Sequence, residues 1–142
     1  MNSANMNKMK VRNYFYLVVG LLCILFAATH TLNGLTTILP IIKNTTIDGS
    51  TKVVFTYVWH IIGIENLVFG VALLVMAFVK NRSKVTFAAW LIIAILFMRW
   101  TVIAYFTLMN GHDSITSLIP DTIAIFVVCL LLFFGTKVKK RA

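Results

Sequence analysis

The sequence predicts an all-α integral membrane protein, a four-helix bundle of up-down-up-down topology with both termini in the cytoplasm. Three observations carry this reading. The 142 residues are 60% hydrophobic and 12% charged, with a mean hydropathy of +0.92, whereas soluble domains run about 45–50% apolar and about 25% charged. Four apolar runs, each long enough to cross a bilayer, occupy most of the chain. Two of the connections between them are very short, which forces neighbouring helices to run antiparallel. A soluble globular protein is excluded, and the length suits a single four-helix transmembrane domain over residues 1–142.

The first span is expected at about 13–39, after Lys8, Lys10 and Arg12. Its apolar run is too long for a cleavable signal peptide, and no A-x-A site follows it. A connection at residues 40–52, opened by Pro40, leads to the second span at about 53–79. Lys80, Arg82 and Lys84 separate this from a third span at about 85–109. Residues 110–113 lead into the fourth, at about 114–136, which ends in Lys137, Lys139, Lys140 and Arg141.

These three basic segments hold ten of the 13 Lys and Arg residues and no acidic residue. By the positive-inside rule both termini and the middle connection are cytoplasmic, while Asp48 and His112 lie outside, as in a multi-pass cell-membrane protein. Topology and contact with anionic lipid account for the net charge of +9. No folded basic surface remains for a nucleic acid, so none is expected as a partner. Usage rich in Ile, Asn and Lys is of a bacterial kind, which gives the Asn44-Thr45-Thr46 sequon little weight.

Small residues recur every seven positions, as Gly20, Ala27 and Gly34 in the first span and as Gly63, Gly70 and Ala77 in the second. Such ridges let helix backbones approach closely in lipid, where packing replaces the missing hydrophobic drive. Packing within the chain is the first expectation, although the same ridges suit a homodimer or a membrane protein partner. Cys23 and Cys129 lie on the cytoplasmic side of centre and read as small hydrophobes rather than as a structural disulfide.

Ionisable side chains inside a bilayer are costly and face a bundle interior or a cavity. Five occur here: His30, His60, Glu65, Arg99 and Asp121. Counted from the span centres, Glu65 and Arg99 lie at the midplane and the others outward of it, all within roughly 10 Å of depth at 1.5 Å rise per residue. The expectation is a polar pocket open to the extracytoplasmic side, lined by His30, Asn33, His60 and Asp121, with Glu65 and Arg99 at its floor. Each residue also has a structural reading. Glu65 and Arg99 suit an ion pair, His30 shares a stripe with Asn33 and Thr37 that can bond across helices, and Asp121 follows Ser114 and Ser117 on another. His60 and Glu65, five residues apart, point about 140° from each other on one straight helix.

No H-E-x-x-H, C-x-x-C, G-x-S-x-G or phosphate-loop motif is present. Two His on separate helices make weak metal ligands, and no metal is expected. As a bis-histidine haem pair His30 and His60 differ in depth by roughly 4–5 Å, which only tilted helices would tolerate.

The run Gly20-Leu-Leu-Cys-Ile-Leu-Phe-Ala-Ala-Thr-His30-Thr-Leu-Asn33-Gly34, ending in Pro40, is followed by Gly63-Ile-Glu65-Asn-Leu-Val-Phe-Gly70. Together they resemble the DoxX-like group of four-helix membrane proteins, with a His-x-x-Asn end to the first helix and a Gly-x-x-Glu-x-x-x-Gly-like centre to the second. Gly63-Ile64-Glu65 is one residue shorter than some such patterns, and Arg99 matches none of them. The resemblance covers about the first 75 residues. It implies a membrane component of redox or thiol-stress systems, sometimes a quinone-linked oxidoreductase subunit.

Three functions are consistent with these residues. One is a redox-associated subunit holding a quinone, lipid or other amphipathic molecule. Another is a small proton-coupled, multidrug-like transporter in which Glu65 exchanges protons. The third is a non-catalytic membrane partner or protective protein. The first fits the outward polar layer best. Whether the protein is an enzyme does not follow from the sequence.

Overall fold

The computed structural model describes residues 10–109 and 115–138, apart from the side chains of Ile115 and Ser117. His112, Lys8 and residues 139–141, which entered the topology argument, lie outside the described residues. All regular structure among the described residues is helical: α1 (Tyr14–Asn33), a π-helical turn (Gly34–Ile38), α2 (Leu39–Lys43), α3 (Gly49–Met76), α4 (Arg82–Met109) and α5 (Ile115–Lys137). Four stretches are long and apolar enough to cross a membrane: Tyr14–Lys43, Gly49–Met76, Arg82–Met109 and Leu118–Lys137. Large apolar side chains face outward along all of them, among them Leu21, Ile64, Phe87 and Phe126. Water would penalise such a surface heavily, whereas lipid tails do not.

Local chemistry sets the helix ends. The Asn13 Oδ1 accepts the N–H groups of Phe15 and Tyr16 at 3.1 and 3.3 Å, an N-cap that opens α1. At α3 the Asp48 carboxylate accepts the Thr51 N–H at 3.0 Å, the Thr51 hydroxyl at 2.6 Å and the Ser50 hydroxyl. Its charge also complements the positive end of the helix dipole. The Lys52 ammonium donates to the carbonyls of Lys43 and Thr45 at 2.9 and 2.8 Å, which ties the connection together.

Pro40, expected to close the first span, sits instead in the first turn of α2, and helix continues to Lys43. Proline removes one donor and crowds the preceding turn. The wider π turn ahead of it, closed by the Leu39 N–H on the Gly34 carbonyl, accommodates that crowding. The second span correspondingly starts at Gly49, four residues before the expected 53, because Asp48 supplies its cap.

The chain divides into two compact units, Val18–Leu74 and Met1–Leu17 with Val75–Ala142. In the first, α1 and α3 pack antiparallel: Gly20 meets Gly70, Ala27 meets Gly63, and Gly34 meets Trp59. A Cβ on Gly20 would lie 3.0 Å from the Gly70 carbonyl oxygen, and one on Gly70 would lie 2.6 Å from Ile24 Cγ1. The sevenfold ridges therefore face each other within the chain.

In the other unit α4 and α5 run antiparallel, joined by an edge-on Trp90–Phe133 contact at 5.9 Å and a Trp100–Phe126 contact at 5.2 Å. The Trp100 indole N–H donates to the Thr122 hydroxyl at 3.0 Å. The chain segment before α1 enters this unit through Asn13, whose side-chain amide donates to the Gly135 carbonyl at 2.8 Å. The N–H groups of Arg12 and Asn13 both reach the Ala77 carbonyl, at 2.7 and 3.1 Å. Arg82 donates to the Arg12 carbonyl at 3.2 Å and to that of Val138. Tyr16, Ala77, Ala89 and Leu132 form the core around these bonds.

Candidate functional site

His30 on α1 and Trp59 on α3 form a reciprocal clasp. Their rings stack with centroids 4.4 Å apart and planes 11° from parallel. The His30 Nε2 lies 3.0 Å from the Trp59 carbonyl oxygen, and the Trp59 indole N–H donates to the His30 carbonyl at 3.1 Å. Since a carbonyl can only accept, Nε2 carries a proton. Gly34 makes room for the clasp, because a Cβ there would collide with the indole nitrogen.

His60 follows Trp59 on α3 and points to a different face. That face is an open, shallow recess of about 370 Å³ lined by Val53, Thr56, Tyr57, His60, Ile61 and Ile64. The spacing of three and four residues makes it a single stripe of the helix. Its walls are almost wholly apolar, and His60 brings the one imidazole, beside the Tyr57 phenol and the Thr56 hydroxyl. The half-buried His60 ring makes no hydrogen bond to a described residue. The Thr56 hydroxyl donates to the Lys52 carbonyl at 2.8 Å, so toward the recess it offers only a lone pair.

Asn33 is exposed, as is Thr37, and neither joins the clasp. Glu65 is half-buried on α3, roughly 140° around the helix from His60. Arg99, half-buried on α4, and Asp121, exposed on α5, belong to the other unit. Among the described residues no three His, Cys, Asp or Glu side chains converge as a metal site. Cys23 is buried and Cys129 half-buried, both as thiols.

Two residues of consequence carried little signal in the sequence. Trp59 carries no charge and belongs to no motif, yet it is the partner of His30. Asn66, one position beyond Glu65, is 8% exposed in an apolar helix and carried no flag because an amide has no charge to count. Outside the spans, hydrogen bonds from Ser50 and then Thr51 hold the Asp48 carboxyl well below the usual carboxylate range. No protein-family model, no curated protein and no solved structure matches the chain.

Proposed function

We propose that this protein is a multi-pass membrane protein that holds an amphipathic small molecule, a quinone or a lipid, against the His60 face of α3. The observation that carries the proposal is an open recess along an apolar stripe whose one imidazole, His60, has no hydrogen-bond partner among the described residues. Apolar walls with a few convergent polar groups select a ligand with a polar head and an apolar body. The His60 imidazole can donate to a quinone carbonyl or a lipid headgroup oxygen, with Thr56 accepting beside it. Val53, Ile61 and Ile64 take the apolar part. His30, held by Trp59, positions α1 against α3 rather than meeting the ligand.

The DoxX-like resemblance of the His30–Asn33 and Gly63–Glu65 motifs points the same way, toward a redox-associated membrane subunit. The basic segments favour cytoplasmic termini in a bacterial cell membrane, with the recess opening on the opposite side. Maleimide labelling from outside at Thr46→Cys, but not at Ser83→Cys, is the expected outcome for that orientation.

The ligand test is an absorption spectrum and organic extract of the gently purified protein, followed by titration with a short-chain quinone. Saturable binding, weakened roughly tenfold in His60→Ala with unchanged helix content, supports the proposal. Absence of both co-purified and added ligand, or binding indifferent to His60→Ala, overturns it.

A further inference from the structure

Where α1 begins, a second recess has a different chemistry. Arg12, Asn13, Tyr16, Arg82, Thr86 and Gly135 stand around a void of about 10 Å³, room for one water molecule or for one oxygen of a larger anion. Tyr16 is 1% exposed, and its hydroxyl, close to that of Thr86, makes no hydrogen bond within 3.5 Å among the described residues. Its ring lies so close to Gly135 that a Cβ there would collide with it, so the hydroxyl is fixed in place.

Arg82 brings a guanidinium group close to this orphan donor, and Arg12 lines the same recess. Arg82 uses two of its N–H groups on the carbonyls of Arg12 and Val138 and retains the other three of its five. Arg12 is exposed at the rim. No acidic residue lies within ten positions of a lining residue along the chain, whereas Lys10, Lys80, Lys84 and Lys137 each lie within two. Tyr16 is the third residue of the first membrane-crossing stretch, at the level where lipid headgroups lie.

We propose that this recess is a phosphate-binding site. One phosphate oxygen enters the void and accepts the Tyr16 O–H, while the others meet Arg12 and Arg82. The geometry suits a membrane lipid phosphodiester and a free phosphate alike, since both present the same oxygens.

The test titrates the detergent-purified protein with dihexanoyl phosphatidylglycerol, with dihexanoylglycerol, which lacks the phosphate, and with inorganic phosphate. The phosphate-bearing ligands are expected to bind saturably and the phosphate-free lipid not to bind. Tyr16→Phe removes a single oxygen and should weaken binding about tenfold, and Arg12→Gln should weaken it similarly. Helix content and thermal unfolding, checked on both variants, show that the fold persists. Binding of the phospholipid alone assigns the site to a headgroup, and binding of inorganic phosphate as well assigns it to phosphate as such; either supports the proposal. No binding, or binding that Tyr16→Phe leaves undiminished, means that the void holds only water and overturns it.

Discussion

The imidazole of His30 and the indole of Trp59 lie face to face at 4.4 Å, and each residue hydrogen-bonds the backbone carbonyl of the other. A polar side chain in an apolar span must find a partner, because lipid offers none. The clasp meets that need twice over and fixes where α1 crosses α3. Trp59→Phe keeps an aromatic ring but deletes the N–H, and should cost about 1 kcal/mol. Gly34→Ala forces a methyl group into the indole and should cost about 1–3 kcal/mol. In a Trp59→Ala background the Gly34→Ala penalty should largely vanish, since the colliding atoms are gone. A double-mutant cycle by unfolding in detergent measures this coupling, and additive losses would count against the clasp.

The glycine ridge makes a second comparison available. A side chain on Gly70 meets the Gly20 carbonyl at 2.9 Å and Ile24 at 2.6 Å, so backbone itself must move. Gly70→Ala is expected to destabilise the chain by about 1–3 kcal/mol. Gly49, in the first turn of α3, has open space where its Cβ would stand. Gly49→Ala is expected to be neutral or to stabilise by up to about 1 kcal/mol, through the unfolded chain. Thermal unfolding of the two variants side by side reads the difference, and equal effects would contradict the close approach of α1 and α3.

Glycine positions and span count were legible because both are short-range properties of the sequence. Hydropathy sums over a window, and small residues at a spacing of seven return to one helix face. Partners were not legible in the same way. His30 was expected to bond across helices, and it does, but the identity of its partner was hidden, since Trp59 lies 29 positions away and a tryptophan in an apolar run carries no mark of that role. Pro40 looked like a terminator because the tolerance of proline depends on the turn before it, and the π turn at Gly34–Ile38 has no sequence signature of its own. The Tyr16 recess was hidden for another reason. Asn13 and Arg82 read as boundary residues, whereas the structure joins them through carbonyls at Ala77, Gly135 and Val138.

Asp48 gives a pH prediction with a definite sign. Hydrogen bonds to its carboxylate lower its pKa in the folded chain. The contribution to stability is therefore present above the unfolded aspartate value, about 3.9, and is lost as pH falls through the lower folded value. Amide exchange at the first turn of α3 should accelerate below about pH 4 in the native protein. Asp48→Asn keeps an N-cap acceptor without the titrating charge and should remove that acid dependence. Identical pH profiles for the two proteins would refute the assignment.

Asn13 combines two jobs that substitutions can separate. Its Oδ1 caps α1 through the Phe15 and Tyr16 N–H groups, while its Nδ2 donates to Gly135 across 122 residues of sequence. At 4% exposure neither group can turn to solvent as a substitute. Asn13→Ser preserves a cap acceptor but leaves the Gly135 carbonyl without its donor, and should cost about 1–2 kcal/mol. Asn13→Ala loses the cap as well and should cost about 1 kcal/mol more. Asn13→Asp retains both cap bonds and favours the helix dipole, yet it turns an acceptor toward the Gly135 carbonyl, so repulsion replaces the long-range bond. If the Gly135 contact outweighs the cap, Asp is less stable than Ser at this position. Unfolding measurements on the three variants give the order, and an Asp variant as stable as the native protein would show that the long-range bond contributes nothing.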